Sequence, residues 1–130
     1  MRQDVLYKTA VIVHAISSLF GVLTSLPALM EGPNAHTITE GVPQFVVMAS
    51  ALLGMAGLIS AYGAWKYQKW GMMLAIFTEA ISGLLALPGV LMAPTEFARV
   101  SSITGVLIAV FVIYVLLRGV RFVPSPTRNR

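Results

Sequence analysis

Residues 45–92 read FVVMASALLGMAGLISAYGAWKYQKWGMMLAIFTEAISGLLALPGVLM, an apolar run from Phe45 to Trp65, the break Lys66-Tyr67-Gln68-Lys69, and a second apolar run from Trp70 to Met92. Each run has about 20 residues, which at about 1.5 Å rise per residue crosses a hydrocarbon core of about 30 Å. Lipid offers no partner for backbone N–H and C=O groups, so unbroken runs of this length must be helices. The break is too short to let them separate, which makes them antiparallel neighbours.

Two further runs flank this pair, Thr9 to Met30 and Val100 to Leu117. Together they give an all-α membrane protein with four transmembrane helices, at about 8–30, 44–66, 70–92 and 98–120, in one domain over 1–122. Composition agrees, with 57% apolar and 11% charged residues and a mean hydropathy of +0.81, far from a soluble domain of this size. The first run follows Arg2 and Lys8 but is too long for a signal-peptide core and lacks a small-residue cleavage site, so it is expected to stay. There is no cysteine, which removes disulfides, thiolate catalysis and cysteine metal sites.

Of nine Lys and Arg residues, eight fall on one side of this arrangement: Arg2, Lys8, Lys66, Lys69, Arg118, Arg121, Arg128 and Arg130. Only Arg99 lies on the other. The positive-inside rule therefore places both termini in the cytoplasm of a bacterial inner-membrane protein, as two helical hairpins. Basic residues placed this way read as a topology signal rather than a nucleic-acid surface. Trp65, Tyr67 and Trp70 sit where interfacial anchors belong. Glu31 to Gly41 reads as an irregular outer loop with a capping turn at Thr37 to Glu40, and 123–130 as a disordered basic tail that touches lipid headgroups.

Leu26-Pro27 and Pro33 reappear sixty-one positions on as Leu87-Pro88 and Pro94, in step with Lys8 and Lys69. The repeat is consistent with duplicated hairpins and with shared helix-end grammar. Counted inward from Lys8 and Trp70, Pro27 and Pro88 lie near the outer surface, where they mark the ends of the first and third helices.

Small residues recur along the second helix at Ser50, Gly54, Gly57, Ala61 and Ala64, a seam that lets helix backbones approach where lipid gives no hydrophobic drive. Ala75, Ser82, Gly83 and Ala86 form a similar seam on the third. The fourth, bulky apart from Gly105 and Ala109, is expected to face lipid or a partner subunit. The seven methionines read as gap-fillers rather than metal ligands.

Two ionisable side chains interrupt the apolar runs, His14 in the first helix and Glu79 in the third, and intramembrane ionisable groups are functional candidates by default. Their depths differ by about one turn, roughly 5 Å. That depth allows the two to pair but does not say whether they touch; a contact would either hold the bundle in register or bind a proton or cation, with Ser17, Ser18, Thr78 and Ser82 nearby and Tyr62 and Tyr114 approaching from the other helices.

Ala10 and His14 resemble, over those few residues, the pigment-binding helices of bacterial light-harvesting polypeptides, which implies ligation of a pigment or haem macrocycle by the imidazole. The rest of this chain departs from those one-helix proteins. The only other histidine, His36, falls in the outer loop. In length, helix number and a membrane glutamate the chain also resembles small multidrug transporters, but its glutamate lies in the third helix rather than the first. Its size is similar to dual-topology fluoride channels, whereas its basic residues are one-sided. No G-x-S-x-G, H-E-x-x-H or acidic phosphate motif is present, so enzymatic activity is not expected. The leading expectation is a protein that acts by helix association, as a homo-oligomer or as an accessory subunit among other membrane proteins. The alternative is a small oligomeric transporter or proton-linked channel using Glu79 and His14.

Overall fold

The computed structural model describes residues 2–31 and 43–122. Within them run four helices, α1 (Arg2–Glu31), α2 (Gln44–Trp65), α3 (Lys69–Met92) and α4 (Glu96–Phe122). All four are long and apolar enough to cross a membrane. The helix bounds fall close to the expected ones, with two differences at polar ends. Asp4 in the first turn suits the positive end of a helix dipole, so α1 starts well before the apolar run. Thr95 accepts a hydrogen bond from the Ala98 N–H at 3.1 Å, an N-cap that starts α4 at Glu96. The loop turn at Thr37 to Glu40, His36 and the tail at 123–130 lie outside the described residues.

The helices contact in a ring, α1 on α2, α2 on α3, α3 on α4 and α4 on α1. Glycine neighbours give the register. A Cβ on Gly54 would meet Val22 and Ser18, one on Gly57 would meet Ser18 and His14, and one on Gly21 would meet Ser50, so α1 and α2 run antiparallel. Gly83 faces Ala109, Gly105 faces Ala86 and Gly89 faces Ser102, which sets α4 antiparallel to α3.

The seam on α2 is therefore used inside the chain. Gly54, Gly57 and Ala61 are buried, and a methyl on Gly54 would lie 2.8 Å from the Ser18 carbonyl oxygen. The expectation for α4 is corrected: Ala109, Val112, Val115 and Leu116 are buried in the bundle, because Gly105 and Ala109 let it close on α3. Only its other face, with Leu107, Val110 and Tyr114, turns outward. Both α1 and α3 continue four residues past their proline, to Glu31 and Met92. The stop on α3 comes at Ala93, extended at ψ 135°, as the residue before Pro94 must be.

The α2–α3 turn closes one end of the bundle. Tyr67 N–H bonds to Ala64 O at 2.8 Å and Gln68 N–H to Gly63 O at 3.0 Å, the paired bonds of a Schellman helix end. The left-handed residue this motif requires is Tyr67 at φ 54° rather than a glycine. Its ring stacks on Tyr7 with centroids 4.8 Å apart, and the Tyr7 hydroxyl donates to Ala64 O at 2.6 Å. Tyr7, Val11, Ala64, Met72, Val112 and Leu116 then pack as a dry plug. The cations at this end lie over aromatic rings, Lys8 over Trp65 at 5.7 Å, Lys66 over Tyr62 at 5.9 Å and Arg118 over Tyr114 at 4.6 Å. We call this the plugged end.

Candidate functional site

Beyond the plug, α1 turns His14, Ser18, Gly21 and Ser25 inward at three- and four-residue spacing, and α3 does the same with Thr78, Glu79, Ser82 and Ala86. His14 and Glu79 meet across the diagonal of the ring, Nδ1 to Oε1 at 2.6 Å, with His14 1% and Glu79 5% exposed. α1 and α2 close together beside the imidazole because α2 has only hydrogen at Gly57, where a methyl would overlap Ser18 and stand in ordinary contact, 3.5 Å, with His14 Cε1.

The other ring nitrogen, Nε2, lies 2.8 Å from Ser60 Oγ, and Ser60 donates its single hydrogen to Gly57 O at 2.8 Å. The geometry serves either tautomer: Nε2–H donates to Ser60 while the hydroxyl bonds to Gly57 O, and a bare Nε2 accepts the same hydroxyl hydrogen. A single proton shared between Nδ1 and Oε1 accounts for the 2.6 Å contact, and paired in this way the two groups satisfy each other in a low-dielectric site.

Ser17 donates to His14 O at 3.0 Å and points a longer, 3.4 Å contact at Glu79 Oε1. Thr78 is buried and spends its hydroxyl on Ala75 O at 3.0 Å. Ser18 is buried at the α1–α2 contact beside Gly57. Tyr62 and Tyr114 do not join this group. They are 65% and 52% exposed on the outer surface, each beneath a cation, because helical phase carries both positions away from the axis. Ser60 completes the site and was missed in the sequence; it lies three residues past Gly57 on the same inward face, which was the available signal. Both nitrogens of His14 are engaged and Ala10 is fully buried. Ligation of a macrocycle would have to break one of those bonds and open the helix contact.

The pair forms the floor of a cavity of about 650 Å³ that all four helices line. That volume is in the range of small-molecule sites. Its wall is apolar, from Val13, Phe20, Val47, Leu53, Leu85 and Ile108, with hydroxyls set into it. Ser50, Ser82 and Ser101 make no hydrogen bond among the described residues. Neither does Glu79 Oε2, and since every sealed polar side-chain atom among those residues has a partner, Oε2 is turned to the cavity. His14 and Glu79 are the only ionisable groups among the described lining residues.

The cavity reaches the outer surface of the bundle. Its lining includes exposed residues on three helices, Ile16 and Phe20 on α1, Ser82 on α3, and Phe97, Val100 and Thr104 on α4. Ile16, Phe20 and Val100 are 63%, 50% and 60% exposed. α1 meets α4 at Tyr7 and Gly119 on the plugged end, and away from it the lining residues Ile16, Phe20, Val100 and Thr104 of these two helices are exposed.

These features stand without a relative to borrow from: set against protein families, curated proteins and solved structures, the chain matches none.

Proposed function

We propose that the chain is a small carrier of the bacterial inner membrane, built as two helical hairpins with both termini cytoplasmic, that exchanges a solute for a proton at His14 and Glu79. The observation behind this reading is the cavity of about 650 Å³ floored by a buried ionisable pair with one carboxylate oxygen left facing the guest. Assembly alone needs no such chamber, and the small-residue seam that suggested association is occupied inside the chain. A continuous channel is disfavoured because the plug around Tyr7 and Met72 closes the far end. A chamber reached from one side, with a seal beyond it, is the geometry of alternating access. The basic residues at the plugged end support a cytoplasmic orientation for it.

The test is solute-driven proton movement in liposomes containing the purified protein with an interior pH dye. Wild type is expected to move protons when solutes are applied across the membrane, and Glu79→Gln, which keeps size and hydrogen-bonding capacity, to abolish it with assembly intact. Absence of flux across a broad panel of cations, anions and neutral solutes overturns the carrier reading.

A further inference from the structure

We infer that the guest of this cavity is an amphipathic organic cation, entering from the lipid between α1 and α4 and placing a protonated amine on Glu79 Oε2. This deepens the reading above and rests on the same site, but it concerns binding and stands or falls without flux.

The guest's chemistry follows from its surroundings. The wall is mostly aliphatic and aromatic, so most of the guest must be apolar. At the floor is one oxygen able only to accept while the carboxylate is ionised, and the free hydroxyls of Ser50, Ser82 and Ser101 lie along the wall. No Lys or Arg is among the described lining residues, and the one basic group there, His14, is already held by Glu79, so the site favours a cation over an anion. The entrance selects as well. Ile16, Phe20 and Val100 there are apolar and exposed, so a molecule already dissolved in the bilayer has the open route.

Charge decides what happens on binding. The groups facing Glu79 are His14 and Ser17 from α1, Ser60 through the imidazole from α2, and Thr78 one position before it on α3. α4 brings only apolar Ile108, Ala109 and Val112 to the bundle interior here. With imidazolium and carboxylate in place, an arriving ammonium leaves one net positive charge in a low-dielectric site, which is strongly unfavourable. Releasing the Nε2 proton restores neutrality. In balance, imidazolium–carboxylate plus alkylammonium gives imidazole–carboxylate–alkylammonium plus one proton to the bulk. No covalent bond is made other than that proton's transfer to solvent. Ser60 makes this possible as a positioning residue: it turns its hydrogen from Gly57 O to the bared Nε2, so no buried polar atom is orphaned.

The test uses the full chain in phosphatidylcholine nanodiscs, titrated with 4-phenylbutylamine and with its uncharged analogue 4-phenylbutanol in weakly buffered solution. Saturable amine binding is expected, releasing about one proton per chain at saturation, with the alcohol binding at least about tenfold more weakly and releasing none. Glu79→Gln is expected to lose both the amine preference and the proton. Val100→Trp, which fills this entrance away from the pair, is expected to slow amine binding while leaving the unfolding temperature unchanged. Equal binding of amine and alcohol, amine binding unaffected by Glu79→Gln, or no saturable binding of either because lipid tails hold the cavity, each overturns the inference. Amine binding with proton release but without flux in liposomes leaves it standing and removes the carrier; proton-coupled flux without amine binding does the reverse.

Discussion

His14 and Glu79 join α1 to α3 across the diagonal of the ring, Nδ1 to Oε1 at 2.6 Å, although those two helices are not neighbours in it. The bond therefore ties together two packed pairs, α1 with α2 and α3 with α4. Removing one partner leaves the other buried and unsatisfied, a loss of about 3–5 kcal/mol. His14→Ala and Glu79→Ala are each expected to fall in that range, and the His14→Leu/Glu79→Leu double variant to recover much of it. Thermal unfolding in detergent measures all three; strictly additive losses in the double variant refute the coupling.

Glycines at the plugged end set how closely α2 and α3 can pass. A Cβ on Gly71 would overlap the Gly63 backbone, and one on Gly63 would lie 2.8 Å from Gly71 Cα and from the Trp70 ring. Backbone cannot yield as a side chain can, so Gly71→Ala is expected to cost more than about 2 kcal/mol. Gly105→Ala is the control, since its methyl would meet only Ala86 Cβ at 3.9 Å, ordinary contact, and is expected to stabilise by up to about 1 kcal/mol through helix propensity. Comparing the two unfolding midpoints decides.

The helices themselves were legible in the sequence, because each apolar run is as long as the lipid is thick and no other backbone form satisfies itself there. Depth allowed His14 and Glu79 to meet, but whether they touch depended on which way each helix turns them. What the sequence concealed was azimuth. Tyr62 and Tyr114 lie near the right depth but on the outward phase, and Ser60 lies on the inward one. Nor does a linear pattern reveal that the cavity lining reaches exposed positions such as Ile16 and Val100 beyond the Tyr7–Gly119 contact, since that depends on how the four helices close around it.

Tyr67 holds φ 54° without being a glycine. Such a conformation costs an L-residue roughly 1 kcal/mol, offset here by its stack on Tyr7. Tyr67→Ala keeps the backbone cost and loses the stack, and is expected to destabilise by about 1–2 kcal/mol. Tyr67→Gly loses the stack but relieves the backbone, and is expected within about 1 kcal/mol of wild type. If alanine proves no worse than glycine, the stack does not compensate backbone strain.

Since the chain has no cysteine, single-cysteine variants read the cavity directly. Ser82 and Thr104 line it and are exposed, whereas Ser60 is fully buried behind the imidazole. Cysteines at 82 and 104 are expected to react with a small cationic methanethiosulfonate at least about tenfold faster than one at 60, because thiolate chemistry needs access to water or to the reagent. The amine probe should protect position 82, which lies one helical turn from Glu79, more than position 104 at the entrance. Under the proposed orientation, addition from the periplasmic side alone should suffice, because the plug of Tyr7, Met72, Val112 and Leu116 lies between these positions and the end proposed to face the cytoplasm. Equal labelling from either side would place the seal elsewhere, and labelling from the cytoplasmic side alone would reverse the orientation argued from the basic residues.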